Sequence, residues 1–138
     1  MTSADAIRKR VRERLGEQRA LVQSLLRLRE QLQGSLFARY AECGKETCVC
    51  RQGRKHGPYY VLSTRSGGRG GFAYLEGRGA TEAGRLVARH KEFKARFSRL
   101  KKANTEIVSL LRRYQRTMAR QGDRRLRLAR SPSTPQKS

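Results

Sequence analysis

Cys43-Gly44-Lys45-Glu46-Thr47-Cys48-Val49-Cys50-Arg51-Gln52-Gly53-Arg54-Lys55-His56-Gly57-Pro58-Tyr59 is the stretch that decides how the middle of this chain folds. It holds all 3 cysteines of the sequence and one of its 2 histidines. Three thiolates and a neutral imidazole make up the Cys3His ligand set of a closed, tetrahedral zinc site. Such ligands must be brought round on tight turns, and Gly44 and Gly53 give the backbone that freedom. Cys43, Cys48, Cys50 and His56 are therefore the candidate metal ligands, and Zn2+ is the candidate cofactor. The spacing Cys-x4-Cys-x-Cys-x5-His differs from the paired Cys-x2-Cys of common fingers and ribbons. Two other assignments compete for the fourth position: His56 as a hydrogen-bonding residue of the His56-Gly57-Pro58 turn, and His90 as ligand in its place. Four closed ligands leave no room for a catalytic water, which makes the site structural. An iron–sulfur cluster fits the spacing poorly, and Cys48-Val49-Cys50 is a poor match to the Cys-x-x-Cys redox pair.

The rest of the chain explains why a staple is needed. Of its 138 residues 36% are apolar and 32% charged, a composition that suits long amphipathic helices plus a small module better than one large core. No apolar run approaches the roughly 18 residues that cross a bilayer, and charges occupy the place of a signal peptide's apolar stretch. The expected compartment is the cytoplasm, where three cysteines are not held as disulfides. With 33 basic against 11 acidic residues the net charge is +22, and the expected partner is a polyanion, nucleic acid before a membrane surface.

Outward from the cysteines lie two helical patterns. Ile7, Val11, Arg14, Gln18, Leu21, Leu25, Leu28 and Leu32 form a stripe with two polar interruptions, predicting an N-terminal amphipathic helix over 4–33, with Asp5 as cap or first-turn acid. Leu86, His90, Phe93, Phe97, Leu100, Asn104, Ile107, Leu111, Tyr114 and Met118 form a second, predicting a long basic helix over 80–121, started by Thr81-Glu82 and ended by Gly122. Neither helix buries its stripe alone, so an antiparallel coiled-coil hairpin is the simplest solution and a homodimeric coiled coil the second. Asn104 either fixes register as a buried amide or lies at a solvated bend.

Between them, residues 34–79 read as the metal-binding β module. Leu36 to Tyr40, Tyr59 to Ser63 and Phe72 to Leu75 read as strands, with Ser66 to Gly71 as the turn and Pro58 tolerated at a strand opening. The expected fold class is α+β: two long helices as a coiled-coil hairpin flanking a three-stranded, zinc-stapled sheet. Residues 122–138 read as a disordered Arg-rich tail.

The candidate nucleic-acid contacts fall in three groups. Lys45, Arg51, Arg54 and Lys55 decorate the metal loops, while Arg65 and Arg69 flank the glycine-rich turn. Arg96, Arg99, Lys102, Arg112, Arg113, Arg116 and Arg120 lie on the second helix, followed by Arg124, Arg125 and Arg127. Residues 80–138 carry 17 basic side chains against 4 acidic ones, too few for an internal ion-pair network. Tyr59, Tyr60, Phe72 and Tyr74 either stack bases beside these arginines or form core against the module and helices. No Ser-His-acid grouping or P-loop is legible, so the chain reads as non-enzymatic.

The run from Gly34-Ser35-Leu36 through Cys43-Gly44-Lys45, Cys48-Val49-Cys50 and His56-Gly57-Pro58-Tyr59-Tyr60-Val61-Leu62 resembles a family of small bacterial and archaeal proteins with a domain of unknown function. The resemblance covers roughly Gly34 to Leu111 and leaves out the N-terminal helix and the tail. Members of that family are often found near transposases and other mobile-element genes. The resemblance thus implies a DNA-related accessory role, with DNA favoured over RNA and a transposase or other protein as possible partner. The alternative is a coiled-coil scaffold that docks on a protein without touching bases.

Overall fold

The structure, a computed structural model, describes residues 3–42, 44–49, 53, 55–66 and 69–127, without the side chains of Ser66 and Arg69. Its elements run α1 (Ala4–Arg27), β1 (Gly34–Ala41), β2 (His56–Ser66), β3 (Arg69–Leu75) and α2 (Gly77–Arg125). The α+β class expected from the sequence is the class observed, with two helices and one antiparallel sheet in the order β1-β2-β3. Two compact units divide the chain: Met1–Gln23 with Ser98–Ser138, and Ser24–Phe97.

In the first unit, α1 begins with Ser3 as its cap: the Ala6 amide donates to Ser3 Oγ at 3.2 Å and the Ile7 amide to the Ser3 carbonyl at 3.1 Å. Asp5 is the first-turn acid, 2.9 Å from Arg8. Ile7 and Leu21 of α1 and Ala103, Ile107 and Leu110 of α2 are buried. The polar interruptions at Arg14, Gln18 and Asn104 find partners. Gln18 Nε2 donates to Asn104 Oδ1 at 2.6 Å, and Arg14 lies 2.6 Å from Glu17 and 2.7 Å from Glu106. Arg8 donates to the Tyr114 hydroxyl at 2.9 Å and sits over its ring, 5.3 Å from the centroid. Partners therefore pair 8 with 114, 14 with 106 and 18 with 104, so the two segments run antiparallel. Arg14 is held above the ordinary arginine pKa by the hydrogen bond to Glu17 and the charge of Glu106, and Arg8 by its bond to Tyr114.

The second unit is built on the sheet. Leu62 in β2 packs with Ala83 and Val87 of α2, and Leu32, Leu36 and Leu75 close over them. Burying a leucine is worth about 2 kcal/mol, so Leu62 anchors this module. Arg39 pairs with Tyr59 but Ala41 with His56, which leaves Gly57 and Pro58 opposite Tyr40 as a bulge. Proline lacks the amide a ladder needs and fits at such a break. Gly34 meets β2 so closely that an added Cβ would collide with the Ser63 carbonyl oxygen. That contact gives the glycine of Gly34-Ser35-Leu36 its physical role.

Three helix boundaries differ from those read in the sequence. The helical stripe extends to Leu32, yet α1 stops at Arg27. Beyond it the helix is not continued: the Leu32 amide donates to the Leu86 carbonyl at 3.1 Å and the Gln33 carbonyl accepts from the Arg65 amide at 2.9 Å. Leu32 serves the sheet core and not a helix seam. At the other end of the unit, α2 starts at Gly77, four residues before Thr81, whose hydroxyl instead donates to the Gly77 carbonyl at 3.3 Å. The helix also passes Gly122 and ends at Arg125, with Arg127 in a left-handed conformation of φ 54° just beyond it. The predicted tail from 122 is therefore helical to Arg125, and residues 128–138 lie outside the described residues.

Candidate metal centre and nucleic-acid interface

The loop between β1 and β2 contains the cysteines. The Cys48 amide donates to the Lys45 carbonyl at 3.3 Å, a turn that brings the Cys48 thiol back toward the start of β2. There Cys48 Sγ lies 2.9 Å from His56 Nε2. Gly53 adopts φ 102° and Gly57 φ 139°, backbone that only glycine takes without strain. At Gly57 a Cβ would also press to 2.8 Å from the Arg39 carbonyl oxygen. Two of the four candidate ligands thus meet, whereas Cys43 and Cys50 lie outside the described residues. Among the described residues no three His, Cys, Asp or Glu side chains gather as a metal site. His90, half-buried on α2, lines a cleft with Gln33, Ser35, Lys91 and Lys94, and among the described residues no cysteine lines it.

The basic candidates separate by what else they hold. Lys45 and Lys55 are exposed beside the cysteine loop; Arg51 and Arg54 fall outside the described residues. Arg65 is exposed on β2, and Arg69 opens β3. Arg96 is committed internally, donating to Glu92 at 2.9 Å and to the Ser24 carbonyl at 3.2 Å. Arg99 and Lys102 border Arg14, Glu17 and Glu106, so acids share their surroundings. Arg113, Arg116, Arg120 and Arg124 line one cleft of about 450 Å³, next to Ser3, Ala4 and Ile7 at the start of α1. Arg112 borders a separate hollow with Asn104 and Val108, and Arg125 and Arg127 are exposed at the end of the helix.

The strand aromatics divide by face. Tyr60 shares the face of Leu62 toward α2 and is half-buried, in keeping with a core role. Tyr59, Phe72 and Tyr74 are on the opposite face and exposed, and Phe37, which sequence reasoning did not single out, joins them there. Its period-2 position in β1 was the available signal.

Residues 6–85 match a family described as a domain of unknown function, DUF6788. The chain belongs to this family. The DUF6788 region starts within α1 and ends early in α2, so the N-terminal helix is part of the shared domain, contrary to the extent expected from Gly34 to Leu111. It takes in the whole sheet and the cysteine loop, while most of the basic α2 lies beyond it. No curated protein and no solved structure matches the chain. No helix among the described residues is long and apolar enough to cross a membrane.

Proposed function

We propose that this DUF6788 protein is a zinc-stapled, basic nucleic-acid-binding accessory protein without enzymatic activity. The observation that carries it is the convergence of Arg113, Arg116, Arg120 and Arg124 on one cleft of α2, in a chain of net charge +22. Guanidinium groups grouped this way suit phosphate oxygens, which they hold by paired, charge-assisted hydrogen bonds. Zn2+ held by Cys43, Cys48, Cys50 and His56 would fix the loop joining β1 and β2, and the Cys48–His56 approach supports that ligand set. The two helices form an antiparallel coiled-coil hairpin in which the Gln18–Asn104 amide pair sets the register. DNA is the favoured polyanion, in a nucleoprotein complex of the transposase kind.

A second reading has one observation in its favour. Leu15, Val22 and Leu26 on α1, and Phe97, Val108 and Leu111 on α2, are exposed, which suits helices that dock on a protein partner or on a second copy. Phe93 and Phe97 stack with centroids 6.1 Å apart. Two variants separate the readings. Replacing Arg112, Arg113 and Arg116 with glutamine removes three charges and lowers nucleic-acid affinity by at least tenfold at moderate salt if the first reading holds. Unchanged binding, together with loss of self-association on replacing Phe93 and Phe97 with serine, establishes the scaffold reading instead.

A further inference from the structure

The outer face of the sheet carries a feature that the basic helix does not explain. Antiparallel register puts Ser35, Ser63 and Phe72 in one row and Phe37, Val61 and Tyr74 in the next, followed by Arg39 and Tyr59. Side chains alternate along a strand, so these residues share the face opposite Leu36, Leu62 and Leu75, which pack toward α2. Phe72 is 76% exposed and Tyr74 70%, while Phe37 and Tyr59 are also exposed and Val61, flanked in the register by Phe37 and Tyr74, is buried. The rings thus stand around an apolar floor and are open to solvent.

The charge on this face has one sign. Arg39 and Arg65 are exposed on it, and Arg65 stands opposite Gly70, which has no side chain to cover it. Between Ser35 and Arg39, Tyr59 and Arg65, and Gly70 and Tyr74, no outward position among the described residues is acidic. The Arg65 amide is tied to the Gln33 carbonyl at 2.9 Å, which fixes its place at the sheet end. A core surface awaiting another apolar surface would not be bracketed by two solvated guanidinium groups. A surface for unpaired bases would, because every base has a face to stack and a phosphate to hold. Successive outward positions on a strand are about 6.8 Å apart, which keeps Phe72 and Tyr74 on separate bases.

We infer that the outer face of the β1-β2-β3 sheet is a stacking platform for single-stranded nucleic acid, with Phe37, Tyr59, Phe72 and Tyr74 taking bases and Arg39 and Arg65 taking phosphates. This rests on the nucleic-acid reading proposed above and adds the strandedness of the ligand. Duplex hides its base faces within the stack, so it cannot use this platform and engages the arginines of α2 alone.

The test uses the full-length chain with labelled 12-nucleotide poly-dT and poly-U and a 12-base-pair duplex, read by fluorescence anisotropy. Phe72→Ala and Tyr74→Ala should each weaken single-strand binding about 5- to 140-fold, the range for loss of one stacked ring, and leave duplex binding unchanged. Tyr74→Phe keeps the ring and should keep the affinity. The chain has no tryptophan, so quenching of tyrosine emission by poly-dT that is diminished in Tyr74→Phe reports stacking at that position directly. Both rings are exposed, so circular dichroism should be unaltered in the alanine variants. Unchanged single-strand affinity in them overturns the inference while duplex binding keeps the broader reading. Equal loss on single strand and duplex overturns it as well, as does a fall in self-association in place of strand binding, which assigns the face to a second copy. No binding to any of the three probes overturns both.

Discussion

The amide pair between Gln18 and Asn104 gives the sharpest test of how the helices of the first unit meet. Its 2.6 Å hydrogen bond joins the polar interruptions of two apolar stripes, and both residues are half-buried. Gln18→Leu alone leaves the Asn104 amide facing a hydrocarbon, and Asn104→Leu does the reverse. A polar group stranded in this way costs about 1–3 kcal/mol, toward the lower end here because water still reaches the site. Replacing both sets two apolar side chains against each other and strands neither amide, which is near neutral or stabilising. The coupling in a double-mutant cycle is then about 2–4 kcal/mol in favour of the double variant. In a domain of this size each kcal/mol moves the melting temperature by about 4 °C. Thermal unfolding followed by helical circular dichroism should therefore show each single variant about 4–8 °C below wild type and the double variant within a few degrees of it. Sedimentation should also show more mixed association in the double variant, because a buried amide specifies register. Strictly additive single losses would refute the pairing.

Three further outcomes are expected. Treatment with a zinc chelator should melt the sheet module while leaving helical ellipticity largely in place, with one zinc per chain released; no bound metal and no chelator effect in the purified protein would remove the staple. Gly34→Ala should destabilise by at least about 2 kcal/mol, because its Cβ would meet the Ser63 backbone, which cannot move without opening the ladder. Gly16→Ala, in α1 with nothing within 4 Å, should instead stabilise by about 1 kcal/mol in the same denaturant titration.

Much of the fold was legible because its signals are local. The aromatic and β-branched runs at Leu36, Tyr59 and Phe72 marked three strands, and two stripes of period near 3.6 marked two helices. The strand ends were not legible: His56, Ser66 and Arg69 join the ladder through main-chain pairing that their side chains do not announce. The seam of α2 was misplaced by about one position, since the structure buries Ala83, Val87, Ala103 and Leu110 and leaves Phe97 and Leu111 exposed. A strict seven-residue repeat drifts against a 3.6-residue helix by about 20° per heptad, and over 49 residues that drift changes which side faces inward. Alanines contribute little hydropathy, so Ala80, Ala83 and Ala103 gave no signal for the contacts they make. At the candidate site, spacing alone brought Cys48 and His56 forward, and the structure brings them together. The exposed aromatic face was only half visible, because propensity marks a strand without saying which of its faces is covered.

The measurement that bears most directly on the account is the salt dependence of nucleic-acid binding by the zinc-loaded chain between 50 and 200 mM salt. Neutralisation of about six phosphates predicts a log-log slope of about −5 with duplex DNA. Binding that does not change with salt, or no binding to any nucleic acid, would contradict it.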